Sequence, residues 1–156
     1  MLFRSIKKEY ENRTTENENI SGTGCLQGYC PMTWTIDFLE NIGIVKIKTS
    51  GPISLEDKKK LSAEALAAGR QKRINSFLVD NQESHLSLSI LEIDQLPKIF
   101  REAGFVKNDK VAILVRPDTL AGGVLRFIEN VFYLSSLQIR IFSDADKAAS
   151  WLKEKI

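Results

Sequence analysis

A serine, an imidazole and two carboxylates fall together once in this chain, where Ser84 and His85, the only histidine, follow Asp80 and Glu83. Brought to a common point, such groups can do nucleophilic or acid–base chemistry. No nucleophile elbow or oxyanion motif accompanies them, so the stretch reads as a polar loop carrying a surface histidine. Cys25 and Cys30 have four residues between them, a spacing that suits neither a Cys-x-x-Cys redox pair nor a zinc knuckle, and they read as free thiols. The sequence contains no phosphate-binding glycine loop, no Gly-x-Gly-x-x-Gly and no cluster of metal-ligand type. No catalytic, cofactor-binding or metal-binding residue is therefore assigned, and catalysis is the weaker class of function. Lys58-Lys59-Lys60 lies between Asp57 and Glu64 and reads as a solvated helix face.

Whatever Asp80 and its neighbours do, they are positioned by Phe77-Leu78-Val79, a short apolar run that ends at Asp80-Asn81. A continuous apolar run between polar boundaries is the mark of a strand buried on both faces, and ligands of open α/β sheets lie at the carboxyl ends of such strands. Val111 to Val115 is a second run of the same kind. Upstream, Trp34, Ile36 and Phe38 alternate with polar residues, and Val45 and Ile47 alternate with Lys46 and Lys48 across an Asn41-Ile42-Gly43 turn. That pattern predicts an antiparallel hairpin whose second strand ends at Gly51-Pro52.

Ser54 caps a helix predicted over 55–68, with Gly69 as its left-handed stop. A second helix is placed from Asp94, because starting at Ser89 would put Pro97 in its interior; Leu86, Leu88 and Ile90 then read as an extended segment docked on the core. A third follows Asp118 or Thr119 as N-cap, with Leu120, Val124, Phe127 or Ile128, and Val131 inward and Gly122-Gly123 set close to the sheet. Ile139 and Ile141 make the last strand, and Ser143-Asp144 opens a terminal helix that buries Ala148, Ala149 and Leu152. The order predicts one α/β domain over 32–156, a mixed sheet of about five strands covered by about four helices.

Residues 1–31 lack hydrophobic periodicity and read as a disordered extension. With 22 basic and 20 acidic side chains, the formal charge of +2 gives no field suited to nucleic acid. No stretch is long and apolar enough to span a membrane, and without an export signal the expected location is cytoplasmic.

From Met32-Thr33-Trp34 onward the chain resembles the STAS fold of bacterial anti-sigma-factor antagonists and sulfate-transporter tails. The likeness is carried by the Phe77-Leu78-Val79-Asp80 strand end, the strand Val111-Ala112-Ile113-Leu114-Val115, and the close from Phe142-Ser143-Asp144 to Trp151-Leu152. It implies a non-enzymatic regulatory module that engages a protein partner or a second copy of itself. Phosphorylated STAS proteins carry an Asp-Ser-Ser-Gly type motif where this chain reads Leu88-Ser89-Ile90-Leu91, which argues against a phospho-switch. The candidate partner or ligand surface comprises Asp80, Glu83, His85, Ser87, Ser89, Asp118 and Thr119. The alternative is a small hydrophobic or lipid-like ligand held in a crevice at the carboxyl ends of the central strands.

Overall fold

The computed structural model describes residues 32–86, 88–120 and 123–154. The region 1–31, expected to form an extension, lies outside the described residues, as does Ser87. The alternating stretch forms β1 (Thr33–Leu39), with Trp34, Ile36 and Phe38 turned toward the core. A short 3-10 turn and Gly43, whose φ of 64° suits glycine, lead antiparallel into β2 (Ile44–Ile53). Next come β3 (Ser76–Leu86), β4 (Lys110–Leu114) and β5 (Gln138–Phe142), each parallel to the strand before it, giving a five-stranded mixed sheet in the order β1-β2-β3-β4-β5.

Among the described residues four helical regions cover this sheet, and the second is broken at Gln95. They are α1 (Leu55–Lys72); α2 (Ile90–Asp94) with α3 (Leu96–Ala103); α4 (Pro117–Leu120) with α5 (Gly123–Leu134); and α6 (Ala145–Lys153). The alternation of side chains along each strand divides the core in two. Val45, Ile47, Phe77, Val79, Val111 and Ile113 face α1, α3 and α5, whereas Ile44, Leu78, Ala112 and Leu114 face α6. No helix among the described residues is long and apolar enough to cross a membrane.

Several boundaries differ from the sequence reading, each for a local physical reason. β2 continues through Gly51-Pro52, because these residues run past the last β1 pair, Thr33 with Ser50, and among the described residues only β3 pairs with them. A proline is tolerated where one edge of a strand is open. The capping box rejected for its conflict with Pro97 does form: Ser89 Oγ accepts from Glu92 N at 3.3 Å and Ser89 N donates to Glu92 Oε2 at 2.7 Å. Those hydrogen bonds hold the Glu92 carboxyl below its usual range. The chain avoids the conflict by breaking the helix at Gln95, so that Pro97 falls in the first turn of α3. Ile90 consequently points to solvent instead of docking on the core. In α5 the buried stripe is Leu125, Ile128 and Phe132, while Val124 and Phe127 are exposed. A side chain at Gly123 would meet nothing within 4 Å, so close approach to the sheet does not explain that glycine.

Gly69 is not the end of α1, which runs on to Lys72 and stops at the left-handed Arg73. A Cβ at Gly69 would lie 2.7 Å from Phe77 Cζ and 2.8 Å from the Ile74 carbonyl oxygen. The glycine therefore lets α1 approach β3, and neither neighbour can yield, since Phe77 is fully buried and stacks edge-on against Phe105. Gly69→Ala is expected to destabilise the fold by about 1–2 kcal/mol through overpacking. Thermal melting checks this, and an unchanged midpoint would mean that α1 does not need the close approach.

Candidate functional site

The site begins with an irregularity in β3. Lys48 pairs with Asp80 and Ser50 with Glu83, so Asn81 and Gln82 together stand opposite the single residue Thr49. This is a β-bulge, and it redirects the side chains that follow it. Two devices hold it. Asp80 Oδ1 accepts from Gln82 N at 3.0 Å, and the buried Thr49 hydroxyl donates to Asn81 Oδ1 at 2.6 Å. The same hydroxyl is 3.2 Å from the Asp80 carbonyl oxygen and shares a hydrogen bond with Ser84 Oγ in which either oxygen can donate, so Thr49 ties Asp80, Asn81 and Ser84 together. The amide nitrogen of Asn81 is left as the donor.

Asn81 and Ser84 thereby line one wall of a cavity of about 60 Å³ at the carboxyl ends of the strands. Ile53 and Val115 close it near the ends of β2 and β4, and the helices supply Leu96, Phe100, Leu125 and Phe132. Lys58 enters the same cavity from the first turns of α1 and is only 6% exposed. It was expected to face water with Lys59 and Lys60. Its neighbours at helical spacing are Leu61, Ser62 and Ala65, all buried, so the face of α1 that packs on the sheet includes Lys58. That spacing was the available signal; the unbroken lysine triplet concealed it. Burial alone pushes the Lys58 ammonium down to about 8, with no carboxylate opposing the shift.

The residues expected to form a partner or ligand surface are distributed differently. Asp80 is buried and its carboxylate serves the bulge. It also acts on Lys46, whose ammonium is lowered by burial and raised in part by Asp80. Glu83 is exposed and pairs with Lys48 at 3.2 Å. His85 is exposed and follows Ser84 on a strand, where successive side chains point to opposite faces; the two cannot act as a nucleophile and its base. Ser89 caps α2 at the exposed end of that segment. Asp118 sits on α4 beside Arg116, 3.7 Å away, and Thr119 belongs to the same short helix. Asp80, Glu83, His85, Ser89 and Asp118 do not line the cavity, although their neighbours Asn81, Ser84 and Leu88 do. No group of three potential metal ligands occurs among the described residues.

The outer faces of the helices over the cavity carry apolar side chains. On α2, Ile90 is 69% and Leu91 78% exposed; on α5, which packs against α2, Val124 is 48% and Phe127 38% exposed.

No protein-family model matches the chain, and no curated protein matches it in sequence. Its fold does match solved structures. An anti-sigma factor antagonist from Mycobacterium paratuberculosis superposes with a TM-score of 0.52 over 80% of this chain and 96% of its own, at 15% identity. An uncharacterised protein with a SpoIIAA-like fold from Shewanella loihica superposes with a TM-score of 0.52 over 83% of this chain and 99% of its own, at 21% identity. The domain thus has the STAS-like, SpoIIAA-like fold.

Proposed function

We propose that this domain is a non-enzymatic regulatory module that docks a protein partner, or a second copy of itself, through the exposed face of α2 and the adjoining end of β3. The observation that carries the reading is the pair Ile90-Leu91, two large aliphatic side chains left in water at the start of a helix whose Ile93 is fully buried. Single exposed apolar residues need no explanation, but adjacent ones beside a second helix with exposed Val124 and Phe127 form the kind of surface that partners cover. Glu83, His85 and Ser89 supply its polar margin, Asp118 is a further candidate, and Ser87 and Thr119 are kept as candidates on their sequence positions. The fold agrees with this, since the mycobacterial neighbour is an antagonist of another protein factor. The Ser89 cap and the missing acidic-serine-glycine motif speak for docking without a phospho-switch at that serine.

Burying an aliphatic side chain at an interface contributes about 1.5–3 kcal/mol, so Ile90→Glu with Leu91→Glu is expected to weaken association at least a hundredfold. Sedimentation across a concentration series reads self-association, and titration with a purified candidate partner reads hetero-association. If parent and variant behave alike in the two measurements, the docking face is elsewhere.

A further inference from the structure

Lys58 is more than nine-tenths buried and no carboxylate opposes its charge; its nitrogen keeps a small contact with solvent, since no fully buried side-chain nitrogen among the described residues lacks a partner. A buried cation without a counter-charge is costly, and a protein that keeps one in a cavity holds a position suited to an anion. The wall around it is divided. Lys58, Asn81 and Ser84 are its polar members, and the remainder is aliphatic or aromatic, including Phe100, Ile128 and Phe132. Asn81 spends its side-chain oxygen on Thr49 and retains its amide nitrogen as a donor. One cation and one amide donor at the polar wall match the two oxygens of a carboxylate, and the remaining wall matches a hydrocarbon tail.

We propose that this cavity binds a short aliphatic carboxylate, its head held by Lys58 and the Asn81 amide and its tail lying among Phe100, Leu125, Ile128 and Phe132. This site is separate from the docking face and stands if that face fails. The size of the cavity, about 60 Å³, sets the preference. That is the share of roughly two water molecules and well under half of the roughly 150 Å³ that holds a benzene ring, so an acetate-sized ion fills it and each further methylene must widen it.

The full chain is titrated calorimetrically with formate, acetate, propionate and butyrate, and with ethanol and propanol as uncharged controls. Affinity is expected to rise about fourfold per methylene up to the length that fills the cavity, with each acid bound at least tenfold more tightly than its alcohol. Lys58→Met, which removes the charge and keeps the bulk, is expected to abolish the preference for acid over alcohol. Raising the pH separates the charge from the shape. The lining from β2, β3, β4, β5, α3 and α5 presents no other titratable group, and Asp57, Lys59 and Lys60 beside Lys58 on α1 do not line the cavity. With the free ammonium near 8, its charged fraction falls about thirtyfold between pH 7 and 9.5, and acetate affinity is expected to fall with it. Equal affinities for acid and alcohol, undiminished acid binding by Lys58→Met, or no binding by any acid at millimolar concentration would overturn the assignment. Lys58→Met is expected to be at least as stable as the parent, and thermal melting of the variant separates loss of binding from loss of structure.

Discussion

Lys58→Met is expected to make the protein more stable at pH 7, by about 3 kcal/mol. The magnitude follows from the distance between the ordinary lysine value of 10.5 and the folded-state value of about 8, at roughly 1.4 kcal/mol per unit. Burial is nine-tenths or more, so little of this is screened by solvent. The sign is fixed by which state holds the proton more tightly. Below pH 8 both states carry the charge, and the folded state bears the full cost of burying it. Between pH 8 and 10.5 the folded state releases a proton that the unfolded state still binds, so stability rises with pH and the penalty is gone above 10.5. Methionine fills the same space without charge, and the variant has no such rise. Urea unfolding of both proteins at pH 7 and pH 10 measures it, the difference between them isolating Lys58 from every other titrating group. A variant less stable than the parent at pH 7, or a constant difference between the two pH values, would show that the ammonium is not confined as the structure has it. A replacement that stabilises a fold identifies a position where folding alone does not account for the residue, and this one lines the proposed ligand cavity.

The order of elements was legible because it rests on periodicity. The alternation from Trp34 to Phe38, the buried runs around Val79 and Ile113, and the inward Ala148, Ala149 and Leu152 each fix an element type whatever surrounds it. What could not be read depends on neighbours far along the chain. Gly69 looked like a helix stop because its actual partner, the ring of Phe77, arrives from the next strand. The break at Gln95 reconciles two local signals, the Ser89–Glu92 capping box and Pro97, that had seemed to exclude each other. The bulge at Asn81-Gln82 needs a strand opposite before it exists, and with it comes the inward turn of Asn81 and Ser84. The candidate surface consequently fell beside the cavity instead of on it. Charge identity misled at Lys58, where three consecutive lysines suggested one solvated face although a helix turns about 100° per residue and carries the first of them inward.

At the opposite end of the sheet, Arg70→Ala is expected to cost about 2–3 kcal/mol and to leave carboxylate binding untouched. Arg70 Nη1 and Nη2 donate to Asp109 Oδ1 and Oδ2, both at 2.7 Å, and Val106 N donates to Oδ2 at 2.8 Å. The pairing raises the Arg70 guanidinium above its ordinary value. Asp109 is buried, so its carboxylate depends on these donors; removing the guanidinium takes the charged partner from both oxygens and leaves the Val106 amide on Oδ2, in a place that water reaches poorly. Because Arg70 itself is 44% exposed, solvent recovers part of the loss, which places the cost below that of a fully interior pair. The mechanical role follows from position: Arg70 is in the last turn of α1 and Asp109 immediately precedes β4, so the fork fastens the far end of that helix to the sheet beside Phe105. Arg70→Lys is expected to restore less than half of the stability, since an ammonium cannot span both oxygens. Urea unfolding of the two variants and of Asp109→Asn gives the comparison. A loss below about 1 kcal/mol in Arg70→Ala would place the pair among ordinary surface ion pairs. The cavity lies at the carboxyl ends of the strands, so unchanged acetate affinity in a destabilised Arg70→Ala separates the residues that hold this fold from those proposed to bind.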